Sequence, residues 1–155
     1  MFKHKKTSGK ADTADNTLVQ PSDWNDDHVL GRVGAVIVVG SANFIVNGAT
    51  LTFPIQFPGG GGYIGYASRV AQGEYAVPVD IPTMAADMLP SGYTFQLKAI
   101  LTVRSKGTLT SGYQWGAGQN GDSIQIMLGD SAWNPVNPNV ECYLDVLILA
   151  AVIPA

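Results

Sequence analysis

The chain has 155 residues, of which 46% are apolar and 14% are charged, so it is long enough for one domain with its own core and is not disordered throughout. A formal net charge of −3 argues against a surface built as a whole to hold nucleic acid, which would be basic. Charged residues make up about 25% of ordinary soluble domains, so this low content predicts that part of the apolar surface contacts other chains.

Residues 1–30 are predicted to form an extended arm that precedes a β-domain over residues 31–155. The first 32 positions hold ten of the 21 charged residues and lack the apolar periodicity of a helix or strand. Such a segment is disordered by itself, and contact with another chain would order it. Its start carries a basic tip that would meet an acidic protein surface in preference to nucleic acid. The tip consists of Lys3, Lys5, Lys6 and Lys10.

From Val33 onward, short apolar runs are separated by Gly, Pro, Asn and Ser, a texture typical of all-β proteins. The first run covers residues 33–39. Asn47-Gly48 predicts a type I′ hairpin turn between strands over 44–46 and 49–53. The Pro-Gly stretch 58–62 predicts a loop, and Pro78 places a strand over 75–80 at a sheet edge or a bulge. Thr83 is the expected N-cap of a helical turn over 84–89.

Two later segments alternate apolar and polar side chains with the period of a strand. Over 93–104, the face that begins with Tyr93 is apolar and the other face is mostly polar. Over 123–128, Ile124, Ile126 and Leu128 should point inward. With about eight strands in all, we expect a two-sheet β-sandwich of jelly-roll type, with an immunoglobulin-like sandwich as the alternative.

The last predicted strand, 140–153, is apolar on both faces in its second half. Leu147, Leu149 and Ile153 continue a face that begins with polar residues, while the opposite face is apolar throughout and holds Cys142 as a small buried side chain. A strand of this kind lies in the centre of a sheet, or its outer face is covered by another subunit. We therefore predict that Leu147, Leu149 and Ile153 belong to a subunit interface.

Residue types that serve in catalysis are scarce, which predicts a protein that is not an enzyme. Both histidines, His4 and His28, precede the β-domain, so the domain offers no Ser-His or Cys-His pair. The pair of catalytic carboxylates that a glycosidase needs is also poorly supplied, because the only glutamates are Glu74 and Glu141. No metal or cofactor is expected, since the acidic run 23–27 is not followed by the glycine and glutamate of a calcium loop.

Three aromatic residues are candidate ligand contacts, namely Tyr113, Trp115 and Trp133. They fall in the Gly-, Asn- and Pro-rich stretches 111–120 and 129–139, which are predicted loops. Exposed aromatic side chains on loops stack on sugars or fill a partner's pocket. The alternative is that these side chains plug the end of the sandwich.

The sequence gives no signal for secretion or for membrane insertion. The basic start is not followed by an apolar signal region, and the apolar run 146–153 is short against the roughly 20 residues of a membrane span. A single cysteine cannot form an intrachain disulfide, so the fold does not require an oxidising compartment. We expect synthesis and folding in a cytoplasm, without membrane contact.

Residues 11–28, with the sequence ADTADNTLVQPSDWNDDH, carry a motif that follows a His-Lys pair near the start of the chain. This arrangement resembles the N-terminal segment of many tailed-bacteriophage virion proteins, often tail fibres or related appendages. In these proteins a Pro-Ser-Asp-Trp-Asn motif is followed shortly by His. The sequence departs from that pattern at Gln20, where the family often has Arg, and at the pair Asp26-Asp27. The matching residues are His4, Lys5, Leu18, Val19, Pro21, Ser22, Asp23, Trp24, Asn25 and His28.

The resemblance implies an attachment segment shared by proteins whose C-terminal parts differ. Its anchoring residues would be Leu18, Val19, Pro21, Trp24 and His28, of which Trp24 offers the largest apolar area for burial. We accordingly expect a non-enzymatic structural protein of a phage virion, made in the host bacterial cytoplasm and docked on capsid, neck or tail subunits. It would be a capsid-decorating or cementing protein, or a short head or tail fibre appendage, assembled as a homotrimer. The alternative is a receptor- or glycan-binding tail-fibre tip.

Overall fold

The computed structural model describes residues 33–53 and 62–155. The arm predicted over 1–30 therefore lies outside the described residues, together with its five anchoring residues and its basic tip. The same holds for most of the predicted loop at 58–62. The described elements, in chain order, are β1 (Val36–Asn47), β2 (Thr50–Thr52), β3 (Ser68–Ala71), β4 (Glu74–Pro78), α1 (Ile81–Met88), β5 (Tyr93–Ser105), β6 (Gln114–Asn120), β7 (Ser123–Gly129) and β8 (Cys142–Pro154).

The strands form two four-stranded antiparallel sheets. The first sheet has the order β2-β1-β8-β5 and the second β3-β4-β7-β6, so the predicted two-sheet sandwich is confirmed. The chain passes from one sheet to the other four times, and its first long strand pairs with its last. This pairing is typical of a jelly-roll-like path.

Side-chain alternation along the inner strands builds the core between the sheets. In β7 the predicted inward residues Ile124, Ile126 and Leu128 are fully buried. In β5 the predicted apolar face supplies Phe95 and Leu97, which are also buried. Cys142 is buried as expected, and this burial raises the pKa of its thiol.

The first hairpin exists, but its turn lies one residue later than predicted. Asn47 pairs with Thr50, so the central residues are Gly48 and Ala49 instead of Asn47 and Gly48. A type I′ turn needs positive φ at both central positions. Here only Gly48 has it, at +57°, because an alanine side chain disfavours that region. The predicted runs 33–39 and 44–46 also merge into β1, which shifts register between Val38 and Gly40.

Two further local predictions are wrong. Pro78 is the last residue of β4, an inner strand between β3 and β7, and not part of an edge strand. It is not at a bulge either, because the pairing of β4 with β7 keeps its register up to Pro78 opposite Ser123. The missing N–H is tolerated there because the ladder ends at this residue. Asp80, not Thr83, caps α1, since the Asp80 carboxylate accepts from the Thr83 N–H at 3.1 Å.

The predicted loop at 111–120 is mostly strand β6, which pairs with β7 from Gln114 opposite Gly129 to Asn120 opposite Ser123. Gly116 and Gly118 lower the intrinsic preference for a strand. Trp115, Ala117 and Gln119 still share one face of this strand, the face that lies beside the buried residues of β7. Pairing with β7 outweighs the local preference in this segment.

Candidate functional site

The outer face of the first sheet carries a continuous set of apolar side chains, which we call the apolar face. Register joins its members, because Val38 lies opposite Leu149 on one side of β8 and Ile100 lies opposite Leu147 on the other. A contiguous exposed apolar surface of this kind marks interaction sites. The members are Val36 (54% exposed), Val38 (66%), Ile100 (55%), Leu147 (37%) and Leu149 (half-buried).

Strand β8 lies between β1 and β5, so it is a central strand of its sheet. Its inward face, which includes Val146 and Ile148, is completely buried. The predicted interface residues Leu147, Leu149 and Ile153 share its outward face, where Leu147 is exposed and the other two are half-buried. Within a single chain, β8 is thus central and still presents apolar side chains on the outside of the sandwich.

A polar band borders the apolar face on the same sheet. The Asn43 Nδ2 donates to Asp145 Oδ1 at 2.6 Å, and the Arg104 guanidinium lies 3.7 Å from Asp145 Oδ2 and over the Tyr143 ring. The Tyr143 hydroxyl donates to Glu141 Oε1 at 2.6 Å. This hydrogen bond lowers the pKa of Glu141 and raises that of Tyr143. An apolar centre with a polar rim is typical of protein interfaces.

The loop after β7 holds Trp133 in an unusual backbone conformation. Among the described residues other than glycine, only Trp133 has a positive φ, at 60°. Asp130 fixes the loop, because one carboxylate oxygen accepts from the N–H groups of Ala132 and Asn134, both at 2.9 Å. The Trp133 N–H in turn donates to the Asp130 carbonyl at 2.9 Å.

The Trp133 ring rests on the outer face of the second sheet at two glycines. A Cβ atom at Gly116 would lie 3.2 Å from Cζ3 and Cη2 of the ring, and one at Gly129 would lie 3.1 Å from Cε3. A side chain at either glycine would therefore require Trp133 to shift by a few tenths of an ångström. The Trp133 side chain is nevertheless 46% exposed, so one of the three candidate aromatics remains open to solvent.

The other two candidate aromatics lie elsewhere. Trp115 is in β6, not in a loop, and its ring packs toward the core at 6.3 Å from the Tyr75 ring. The Trp115 indole N–H and the Tyr75 hydroxyl are both buried without a hydrogen-bond partner among the described residues. Tyr113 is half-buried in the turn before β6, where its N–H donates to the Thr110 carbonyl at 3.1 Å. Trp115 therefore plugs the sandwich instead of lining a surface.

Acid is expected to release the Trp133 loop. Hydrogen bonds from the Asn134 side chain and from the backbone N–H groups of Asn134 and Ala132 hold the pKa of Asp130 below its usual value. With a folded-state pKa lowered in this way, the stabilisation is complete above the ordinary aspartate pKa and is lost as the pH falls through the lowered value. The Trp133 indole N–H resonance, followed during an acid titration by NMR, should shift in that range. A shift that persists unchanged in Asp130→Asn would rule out Asp130 as its source.

The described residues contain no group of three His, Cys, Asp or Glu side chains arranged to hold a metal ion. Over the same part of the chain, no helix combines the length and the apolar character needed to cross a membrane. No family model matches this chain, and no curated protein or solved structure matches it either.

Sequence reasoning missed Val36, Val38 and Ile100 as members of the apolar face. Ile100 had a visible signal, because it interrupts the otherwise polar face of the strand over 93–104. Val36 and Val38 had none, since they belong to a continuous apolar run that reads equally well as a buried strand.

Proposed function

We propose that this chain is a non-enzymatic structural protein of a tailed-phage virion. The arm over 1–30 docks it on another virion protein, and the sandwich assembles with copies of itself, as a homotrimer, through the apolar face. Its place in the particle is that of a capsid-decorating or cementing protein, or of a short head or tail fibre appendage. The host bacterial cytoplasm is where it is made, and the virion is where it acts.

The apolar face is the observation that carries this proposal. Four of its five side chains are exposed on one sheet of a chain with only 14% charged residues. Covering these side chains would remove apolar area from water at a gain of about 25 cal/mol per Å². A second copy brings the same apolar centre and the same rim of paired polar groups. Lys98, which is exposed and lies opposite Leu149 on this face, keeps its charge in water by extending its side chain to the edge of the contact.

Two features of the sequence support the rest of the proposal. The motif Pro21 to Asn25, followed by His28, resembles the attachment segment of phage virion proteins, and Trp24 gives a polar arm one large side chain to bury on a partner. The chain's histidines, at positions 4 and 28, both precede the sandwich. The sandwich thus lacks the residue type most used for proton transfer.

Removing residues 1–28 is expected to leave a folded, self-associating sandwich that no longer joins the particle. Phage would be grown in cells that supply the truncated chain in place of the full one, and purified particles would be assayed for it. Circular dichroism and light scattering of the truncated protein provide the control for folding and assembly. Incorporation at the normal occupancy would contradict the anchoring role of the arm.

The alternative function, a receptor- or glycan-binding tip, now rests on fewer residues. Trp115 packs into the core and Tyr113 is half-buried, which leaves Trp133 as the exposed candidate of the three. The surroundings of Trp133 carry the inference that follows.

A further inference from the structure

We propose that the outer face of the second sheet carries a binding site for a neutral sugar ring of a glycan. The site is built on β6 and β7 and is distinct from the apolar face, which lies on the other sheet. It adds a ligand to the structural role and does not depend on the arm. Its residues are Trp133, Gln125, Met127, Asn120 and the backbone at Gly116 and Gly118.

The centre of the site is a depression of about 210 Å³ in the outer face of the second sheet. It lies over two cross-strand pairs, Gly116 with Met127 and Gly118 with Gln125. These positions alternate with the buried side chains of β7, so they face outward. A Cβ atom at Gly118 would meet nothing within 4 Å, which shows that the space above the strand is open.

The Trp133 ring adjoins the depression at Gly116. This glycine lines the depression and also supports the ring. The Asp130 hydrogen bonds fix the backbone on both sides of Trp133 before any ligand arrives, which lowers the entropy cost of binding. A half-exposed indole presents apolar area against which the C–H face of a sugar ring packs.

Amide groups around the depression have hydrogen-bonding capacity to spare. The Asn120 Nδ2 donates to Gln125 Oε1 at 3.1 Å, which leaves the Gln125 Nε2 and the Asn120 Oδ1 without protein partners among the described residues. Gln119 differs, because its Oε1 accepts from the Leu97 N–H and its Nε2 donates to the Gly121 carbonyl. The free pair offers one donor and one acceptor, the combination that a sugar hydroxyl satisfies.

Charge decides which class of ligand fits. None of the six residues that line the depression ionises, and the carboxylate of Asp130 is occupied by its own loop. An anionic sugar would find no cation among these residues. An apolar protein segment would bury the free amide groups without partners, at a cost. A neutral sugar ring needs no cation. Its hydroxyl groups pair with the free amide groups, and its apolar face packs against Trp133.

The test is an NMR titration of the full-length ¹⁵N-labelled protein. The neutral probes are maltohexaose, cellohexaose and mannohexaose, and the anionic probe is hexagalacturonate. At least one neutral probe is expected to produce saturable shifts of the Trp133 indole N–H and of the Gly116 and Gly118 amides, with a millimolar dissociation constant. Absence of saturable shifts with all three neutral probes would overturn the proposal, and so would tighter binding of the anionic probe.

Two variants test separately what the Trp133 ring and the depression contribute to binding. Trp133→Asn removes the ring but keeps a residue type that tolerates positive φ, so the loop should persist; binding should weaken about tenfold. Gly118→Val fills the depression where the structure has room, so the protein should fold, and binding should be lost. Thr102→Val, on the other sheet, is the control and should bind like the wild type. Wild-type affinity in either of the first two variants, with folding verified by thermal unfolding, would refute the site.

Discussion

Val38→Asp is expected to convert the assembled protein into single chains of 16.3 kDa. Val38 is 66% exposed in the apolar face, and a carboxylate there would be buried without a partner on assembly. The cost is about 3 kcal/mol per buried charge, which corresponds to a dissociation constant roughly a hundredfold larger. Leu147→Asp, in the middle of the same face, should act in the same way. Light scattering across a range of protein concentrations measures the effect.

Val70→Asp is the matched control for this experiment. Val70 is 60% exposed, on the edge strand β3 of the second sheet, and lies outside the apolar face. The same substitution at nearly the same exposure should leave the proposed trimer intact. If the wild type is a monomer at high concentration, or if Val38→Asp and Val70→Asp assemble equally well, then the apolar face is not the interface between copies.

Gly73→Ala is expected to destabilise the sandwich by about 4 kcal/mol, at the upper end for a single substitution. Gly73 has φ +65°, and a Cβ atom there would lie 2.8 Å from the Leu128 carbonyl oxygen and from the Val136 nitrogen. These are backbone atoms of a paired segment, since the Val136 N–H donates to the Leu128 carbonyl. They cannot yield as a flexible side chain would. Chemical denaturation of the two proteins gives the free-energy difference.

Gly48→Ala separates the backbone cost from the clash. Gly48 has a similar φ of +57°, but a Cβ atom there would meet nothing within 4 Å. Only the left-handed conformation is then penalised, at about 1 to 2 kcal/mol. Equal losses of stability for Gly48→Ala and Gly73→Ala would mean that the segment around Val136 moves aside freely.

The parts of the fold that could be predicted are those in which apolar and polar side chains alternate along a single strand. The apolar face of β5, the inward residues of β7 and the two-sided character of β8 follow from a period of two, whatever the strands pair with. The turn at Gly48-Ala49 and the strand β6 could not be obtained in this way. In both, the register with a partner strand decides the structure, and that partner's position is not a local property of the sequence.

For the candidate surfaces, too, some residues could be predicted from the local sequence and others depend on how the strands pair. Trp115 and Trp133 both stand among Gly, Asn and Pro residues, and nothing in their immediate sequences separates them. Pairing with Leu128 turns Trp115 toward the core, while the Asp130 turn places Trp133 on the opposite side of the same sheet. For the apolar face, Leu147 and Leu149 could be named from β8 alone. Their neighbours Val38 and Ile100 come from strands whose adjacency only the fold reveals.

The central place of β8 sets the timing of folding on the ribosome. Between Asn47, at the end of β1, and Cys142, at the start of β8, the chain numbers 94 residues. At ordinary rates of translation, β1 waits on the order of 5 to 20 s for its main partner. During that interval β2 pairs only with residues 45–47 at the end of β1. Val36 and Val38 then have no partner strand, so the nascent chain exposes an open strand edge. Self-association at this stage would join incomplete chains through β1. Because β8 is synthesised late, a chaperone has time to bind the exposed edge of β1 first.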